Sequence, residues 1–234
     1  GDKHSTLRMI RGIKNRFGAS DEVGCFEQHD DGIHEVPDPS GIFLHQRGPD
    51  IFGSVTMVTM DGKRALVGEV QALANGDDMH NPRRAVSGLD SQRIAMILAV
   101  LQANGHPKVG KQEVYVSTVG GMKVTEPAVD LAAAMAVASF VTRSPVPQDT
   151  VVIGELGLAG EVRRITGIAR RLTEAKRLGF ARAIIPAGTD EKLPAGIRVV
   201  RVANLGEAIT AGGVRGGGGR TAPRAHLEIA DAPF

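Results

Sequence analysis

Length, composition and charge limit the kinds of protein that this sequence can encode. Its 234 residues, 42% of them hydrophobic, suffice for one main domain with appendages. The single cysteine, Cys25, excludes an intramolecular disulfide. The sequence has no apolar run of transmembrane length and no signal peptide, so we expect a cytoplasmic protein without a membrane partner.

The first 50 residues are predicted to lie outside the main domain. Residues 1–18 carry five basic and one acidic side chain, whereas residues 19–50 carry one basic and eight acidic side chains. A basic, strand-like segment at residues 6–14 has no core before it, so we interpret residues 1–18 as the end of a larger domain. Residues 19–50 are rich in Gly, Asp and Pro and are interpreted as a connector. Their histidines and aspartates lack the spacing of a standard metal site, so no metal site is predicted.

The main domain is predicted to begin at Ile51. Two β-rich runs, at residues 53–60 and 64–74, meet at Asp61-Gly62, which is a typical hairpin turn. After a polar loop, Asp90 caps a helix whose apolar residues recur at i, i+3, i+4 and i+7. These residues are predicted to form part of the core.

The segment Gly105–Lys111 has the spacing of a phosphate-binding P-loop, but its context argues against that function. Gln112 stands where the motif requires Ser or Thr to hold Mg²⁺. The segment also follows a helix and precedes a predicted strand at residues 113–117, which reverses the order of a P-loop. No nucleotide or cofactor site is therefore predicted in this chain.

The second half of the chain alternates helices and short strands. A long helix follows Pro127 and presents a face of small residues, and the sequence leaves open whether this face packs internally or against another chain. A Gly-rich reversal then leads to a second helix that begins after Gly167, and further strands and a terminal helix continue to residue 211. Residues 212–234 are Gly-rich and polar and are predicted to be a disordered tail. The small face consists of Ala128, Ala132 and Ala136.

Positive charge concentrates in the unit around the second helix. Residues 161–182 carry seven basic and two acidic side chains. Such clustering fits contact with the phosphates of DNA without sequence reading, and the lack of Trp leaves little for base stacking. It equally fits a subunit interface that faces the acidic segment 19–50 of a neighbour. The DNA-binding candidates are Arg163, Arg164, Arg170, Arg171 and Arg177.

The runs GELGLAGEVRRITGI, PAVDLAAAMA and AIIP resemble the proteolytic domain of the Lon protease family. The resemblance implies an α/β fold similar to the second domain of ribosomal protein S5. It also implies a Ser-Lys dyad, but the two dyad positions are Ala128 and Ala169 in this chain. A methyl group neither attacks a carbonyl nor accepts a proton, so the resemblance implies a protease fold without proteolysis.

Three hydroxyl side chains near these positions are alternatives for a residual peptidase. A hydroxyl nucleophile requires a base within hydrogen-bond reach, which none of the three has by sequence. Two of them, Thr125 and Thr166, are better interpreted as helix caps. The third is Ser139.

The N-terminal motif Lys14, Asn15, Arg16, Phe17 and Gly18 reads KNRFG, the signature pentapeptide of the RadA (Sms) family of DNA-repair proteins. The resemblance covers nearly the whole chain to about Ala211. It implies a missing upstream part with a four-cysteine zinc motif and a RecA-like ATPase that binds ATP and Mg²⁺.

The resemblance also implies a function for the whole protein and for its parts. The whole protein would drive branch migration in recombination together with a RecA-type recombinase, and Lys14 and Arg16 would act at the ATPase end. Residues 51–211 would form a Lon-like domain that supports a hexameric ring and offers a nonspecific DNA surface. A pure oligomerisation module without DNA contact remains an alternative.

Overall fold

The computed structural model describes residues 7–11, 23–29, 31–35, 51–76, 78–214 and 227–228. The strands are β1 (Leu7–Arg11), β2 (Val23–His29), β3 (Gly32–Glu35), β4 (Ser54–Asp61), β5 (Arg64–Asn75), β6 (Arg84–Ser87), β7 (Glu113–Thr118), β8 (Thr150–Val152), β9 (Glu155–Leu156), β10 (Val162–Arg163), β11 (Arg182–Pro186), β12 (Arg198–Val202) and β13 (Leu227–Glu228). The helices are α1 (Ser91–Ala103), α2 (Asp130–Thr142), α3 (Ile168–Arg177) and α4 (Leu205–Ala211).

An eight-stranded mixed sheet organises the main domain. Its order is β13-β12-β11-β8-β4-β5-β7-β6. The pairs β11–β12, β8–β11, β4–β8 and β6–β7 are parallel, and the other three are antiparallel. The predicted α/β class is confirmed. The predicted hairpin is also confirmed, because Asp61 pairs with Arg64 across a turn in which Gly62 has φ +57°.

Helices cover both faces of the sheet. Helices α1, α2 and α4 pack with one buried cluster, and α3 packs with the cluster on the other face. Helix α2 is buried around its whole circumference at ten positions, as expected for a helix that is hydrophobic on all sides. The face of small residues therefore packs inside the chain, which answers the question that the sequence left open. Its members Ala128, Ala132 and Ala136 are fully buried.

Residues 19–50 contain more regular secondary structure than is expected for a connector. Strands β1, β2 and β3 form a three-stranded antiparallel sheet, in which Leu7 pairs with Glu27 and Phe26 pairs with Glu35. The predicted limit at residue 18 therefore falls between two paired strands. The motif Lys14–Gly18 lies outside the described residues.

Two parts of the sequence predicted as irregular carry structure. The polar loop at residues 75–88 contains β6, which pairs with β7. The prediction of a disordered tail from residue 212 is wrong at two places: Val214 is buried against the core, and β13 pairs with β12. The reason is that strand pairing uses backbone groups, which a polar and Gly-rich composition does not remove. Within the described residues, no helix is long and apolar enough to cross a membrane.

Candidate functional site

The start of α3 is capped by a carboxylate from a distant loop. Gly167 adopts φ +73° before the first turn, and the amides of Ile168 and Ala169 donate to Glu191 at 3.1 and 2.9 Å. The predictions that Thr125 and Thr166 cap helices are wrong. Thr166 lies one residue before the cap position, and Glu126, not Thr125, precedes the 3₁₀ turn Pro127–Val129 that leads into α2. Because a carboxylate already satisfies the helix dipole, the start of α3 is not an open anion site.

The structure brings the two alanines predicted at the dyad positions to neighbouring elements. Ala128 is fully buried in the same cluster as Ile168, and its carbonyl accepts a hydrogen bond of 2.8 Å from the amide of Gly154. Ala169 lies in the first turn of α3. Neither side chain carries a group that can act in acyl transfer.

A buried ion pair lies beside the two alanines. The guanidinium of Arg171 forms a bidentate contact with Glu126, with Nη1 at 3.1 Å from Oε2 and Nη2 bonded to Oε1. The same Nη1 donates to the carbonyl of Val58 at 2.8 Å. The Arg171 side chain is 2% exposed and that of Glu126 is 27% exposed. This contact joins α3, β4 and the segment before α2.

Glu126 is held as a carboxylate by several hydrogen bonds. Burial by itself would raise the pKa of the Glu126 carboxyl, but the hydrogen bonds from Arg171, from the amide of Met60 and from Thr59 outweigh burial and lower it below 4.5. The bonds from Thr59 Oγ1 and the Met60 amide are both 2.9 Å long. A lowered pKa keeps the carboxylate ionised at neutral pH.

A second charged contact fixes the start of α2 on the opposite side of the same segment. The guanidinium of Arg93 on α1 donates to Asp130 through Nε at 2.6 Å and Nη2 at 2.5 Å, and the amide of Leu156 donates to the same carboxylate at 3.2 Å. Burial raises the pKa of Asp130, and the bonds from Arg93 and Leu156 offset part of that effect. Sequence reasoning missed both ion pairs, because their partners lie 37 and 45 residues apart in the chain.

The hydroxyl alternatives differ in their surroundings. Ser139 is fully buried, accepts a bond from the Gly53 amide at 3.0 Å and donates to the Ser144 carbonyl at 2.7 Å. Its hydroxyl thus holds the end of α2 to the strand entry and is closed to a substrate. Thr125 and Thr166 are exposed.

One of the five DNA-binding candidates is misassigned. Arg171 is buried and bonded to Glu126, so the prediction that it contacts DNA is wrong. It faces the core because it follows Ile168 by three positions and precedes Ala175 by four on the same side of α3. A count of charged residues along the sequence does not distinguish a buried arginine at such a position from an exposed one.

The other four candidates are exposed on or near α3. Arg163 bonds Glu161 at 2.8 and 2.9 Å, Arg177 bonds Glu174 at 2.8 and 2.9 Å, and Arg164 pairs with Asp190. Arg170 differs, because its Nη1 donates at 3.0 Å to the backbone carbonyl of Lys63 at the β4–β5 turn. Lys63 and Arg170 are both exposed.

The two histidines that the structure describes within the first 50 residues make local polar contacts. His34 Nε2 lies 3.0 Å from Asp31 Oδ1, and His29 Nε2 lies 3.2 Å from Glu27 Oε2. Among the residues that the structure describes, no group of three or more potential metal ligands occurs.

Comparison with known proteins agrees with this architecture. A family model described as "Subunit ChlI of Mg-chelatase" matches residues 90–189, the part of the α/β domain that runs from α1 through α3 to β11. Proteins named "DNA repair protein RadA" match over most of the chain. The protein of Mycolicibacterium smegmatis is 53% identical over 209 residues, which are 89% of this chain and 44% of the relative.

RadA proteins of other bacteria give similar matches. The RadA protein of Mycobacterium tuberculosis (strain H37Rv) is 50% identical over 209 residues, 89% of this chain and 43% of the relative. That of Escherichia coli K12 is 44% identical over 211 residues, 90% of this chain and 46% of the relative. The chain therefore belongs to the RadA family, as the KNRFG motif predicts. It spans less than half the length of these relatives.

Proposed function

We propose that this chain is the non-proteolytic, Lon-like part of a RadA-type DNA repair protein, in which it holds copies of the protein together in a hexameric ring. One observation at the centre of the domain supports this proposal. Alanines occupy both dyad positions, and the ion pair of Glu126 and Arg171 lies beside them. The guanidinium of Arg171 stays protonated at neutral pH, so it cannot serve as the base in place of a lysine. The Lon-type fold then acts as a scaffold.

The proposed role of the whole protein extends beyond this chain. A RecA-like ATPase with ATP, Mg²⁺ and a zinc motif would supply the driving force for branch migration in recombination, and a RecA-type recombinase would be its partner. Lys14–Gly18 would couple that ATPase to DNA or to a neighbouring subunit. This assignment is supported by the sequence identity of 44% and 53% to two proteins named for DNA repair.

Contact with DNA is proposed to centre on the pair Lys63 and Arg170. Exposed ion pairs contribute little free energy, so Arg163, Arg164 and Arg177 can exchange their carboxylate partners for phosphates at low cost. Arg170 donates to the backbone carbonyl of Lys63, and both side chains are exposed at the β4–β5 turn. Contacts of this kind neutralise phosphates and release counterions, which gives affinity for any sequence.

A salt titration tests the DNA surface. Fluorescence anisotropy of a labelled duplex is measured with the 234-residue chain and with the Arg170→Ala variant at several salt concentrations. Loss of one phosphate contact reduces the slope of log affinity against log salt by about 0.9, equally for duplexes of different sequence. Lys108→Ala is the matched control, because Lys108 is also exposed but lies beyond α1, on the other side of the sheet. Equal slopes for the two variants contradict the proposed surface.

The second candidate is an oligomerisation module without DNA contact. The carboxylate partners of Arg163, Arg164 and Arg177 favour it, because three of the four exposed candidate arginines are already paired with carboxylates. An oligomeric mass by light scattering, combined with no anisotropy change at low salt, is the result expected from this candidate. Labelling of the chain by a fluorophosphonate would instead indicate a residual peptidase.

A further inference from the structure

The sequence contains the tripeptide Ala-Asn-Gly twice, centred on Asn75 and on Asn104. Asparagine followed by glycine is prone to spontaneous deamidation, in which the backbone nitrogen of the glycine attacks Cγ of the asparagine. Glycine favours this attack because it has no Cβ to shield the nitrogen and restricts the backbone least. Since the two tripeptides are identical, the surrounding structure determines which of them reacts.

The side chain of Asn75 lies against the nitrogen that would attack it. Asn75 is the last residue of β5, and both Asn75 and Gly76 are exposed. The amide nitrogen of Gly76 donates to Asn75 Oδ1 at 2.9 Å. Because Cγ is bonded directly to Oδ1, this contact brings the reacting carbon and nitrogen close together before the reaction starts. Gly76 has φ +77°, and a Cβ there would lie 2.8 Å from Met79 Sδ, so the conformation favours glycine.

Asn104 is held differently, by the end of α1. Its backbone amide donates to the carbonyls of Val100 and Leu101 at 3.0 and 3.2 Å, and its side-chain Nδ2 donates to the Val100 carbonyl at 2.8 Å. The same side chain packs against the turn between β9 and β10, since a Cβ on Gly160 would lie 3.0 Å from both Nδ2 and Oδ1. These contacts must break before Cγ of Asn104 can be attacked, which means that the helix end must open first.

The reaction at Asn75 needs water as its only co-reactant. Hydroxide or water removes the amide proton of Gly76, and the nitrogen forms a bond with Cγ of Asn75. The Cγ–Nδ2 bond then breaks, and Nδ2 takes up a proton and leaves as ammonia. Water opens the resulting succinimide ring. Opening at Cγ gives aspartate, whereas opening at the backbone carbonyl carbon gives isoaspartate, in which the main chain runs through Cβ and Cγ.

Both products disturb the end of β5. Asn75 is the register partner of Glu113 on β7, so a carboxylate at position 75 places two like charges on paired residues. Isoaspartate also lengthens the backbone just before a loop that is fixed to the 3₁₀ turn before β7. There the Met79 amide donates to the Lys111 carbonyl at 2.9 Å, and Lys111 Nζ bonds Asp78. We expect these contacts to weaken when the backbone before them is lengthened.

We propose that Asn75 is a site of spontaneous deamidation in the folded chain, and that the modification loosens the loop between β5 and β6. Asn104, in the same tripeptide, is protected by the end of α1. The proposal goes beyond the proposed function and does not depend on it. It rests on the exposure of Asn75, on the contact between Asn75 and Gly76, and on the contrast with Asn104.

Peptide mapping by mass spectrometry tests the site. The 234-residue chain is incubated at mildly alkaline pH, circular dichroism verifies that it stays folded, and conversion of amide to acid is followed at both asparagines. We expect position 75 to react at least about tenfold faster than position 104, the factor that corresponds to about 1.4 kcal/mol for opening the helix end. In urea the two rates should become similar, because only the shared tripeptide remains.

Asn75→Gln is the matched control, because glutamine keeps the amide but closes its larger ring much more slowly. After the same incubation, hydrogen exchange at the Met79 amide should be faster in the wild-type chain and unchanged in the variant. No conversion at position 75, or a rate at position 104 that is equal or higher in the folded chain, overturns the site. A difference between the two positions that persists in urea overturns the structural explanation. Conversion without faster exchange at Met79 overturns the loosening of the loop.

Discussion

Replacement of Arg171 by Met tests whether the ion pair at the dyad positions is structural. Met keeps the length and volume of the arginine stem but removes four hydrogen bonds: two to Glu126, one to the Val58 carbonyl and a long one to the Thr166 carbonyl. Breaking a buried pair leaves an uncompensated charge and costs about 3–5 kcal/mol. Because Glu126 keeps 27% of its side chain exposed, we expect the lower end, about 3 kcal/mol.

Urea unfolding followed by circular dichroism measures this loss, since the chain has no Trp and one Tyr. The expected drop in the urea midpoint is about 1 M or more, with an unchanged slope. The double variant Glu126→Gln, Arg171→Met should recover most of the loss, because a neutral amide still accepts the bonds from Thr59 and the Met60 amide. A loss below about 0.5 kcal/mol in the single variant, the scale of an exposed pair, would refute the reasoning.

The remaining predictions concern pH, catalysis and backbone geometry. Burial lowers the pKa of His106 below 6.5, so as the pH falls the unfolded chain takes up a proton before the folded chain does, and the free energy of unfolding decreases below pH 6.5. His106→Leu should remove this dependence of the free energy of unfolding on pH. An unchanged pH dependence in the variant contradicts the prediction. The double variant Ala128→Ser, Ala169→Lys should gain no casein cleavage or fluorophosphonate labelling, because position 128 is fully buried. Labelling above the wild-type level would show that a substrate reaches position 128 and would contradict the prediction. Gly88→Ala should cost about 2–3 kcal/mol in thermal or urea unfolding, since its Cβ would lie 2.0 Å from a hydroxyl oxygen at φ +78°. Gly121→Ala, with φ +69° and open space, should cost only about 1 kcal/mol, and equal losses at the two sites would contradict the steric argument.

The periodic elements of the main domain were predictable from the sequence because their signals are local. Asp90 accepts a 2.7 Å bond from the Arg93 amide and caps α1 as predicted, and Asn104 ends that helix. The strand β6 was missed because four residues with mixed exposure give no alternation to recognise. The strands β2 and β3 were missed for a related reason, since β3 is exposed at every position.

The charged contacts of the site required the tertiary structure. Arg171 looks like its neighbour Arg170 in the sequence, yet one is buried and the other exposed, and only the rotation of α3 against the sheet separates them. The cap of α3 comes from Glu191, more than 20 residues after the helix start. The alanines at the predicted dyad positions could be identified from the sequence, whereas the charged groups that surround them could not.

The segment from Glu126 to Asp130 connects the helices on the two faces of the sheet. Glu126 is bonded to α3 on one face of the sheet, and Asp130, four residues later, is bonded to α1 on the other. The segment between them contains Ala128, the position at which a Lon-type protease would hold its nucleophile. Two charged contacts hold this segment between both helical layers. The same contacts order the start of α2 and, through the Leu156 amide, the base of the turn that carries Leu158. The two contacts thus connect α1 and α3 to the start of α2.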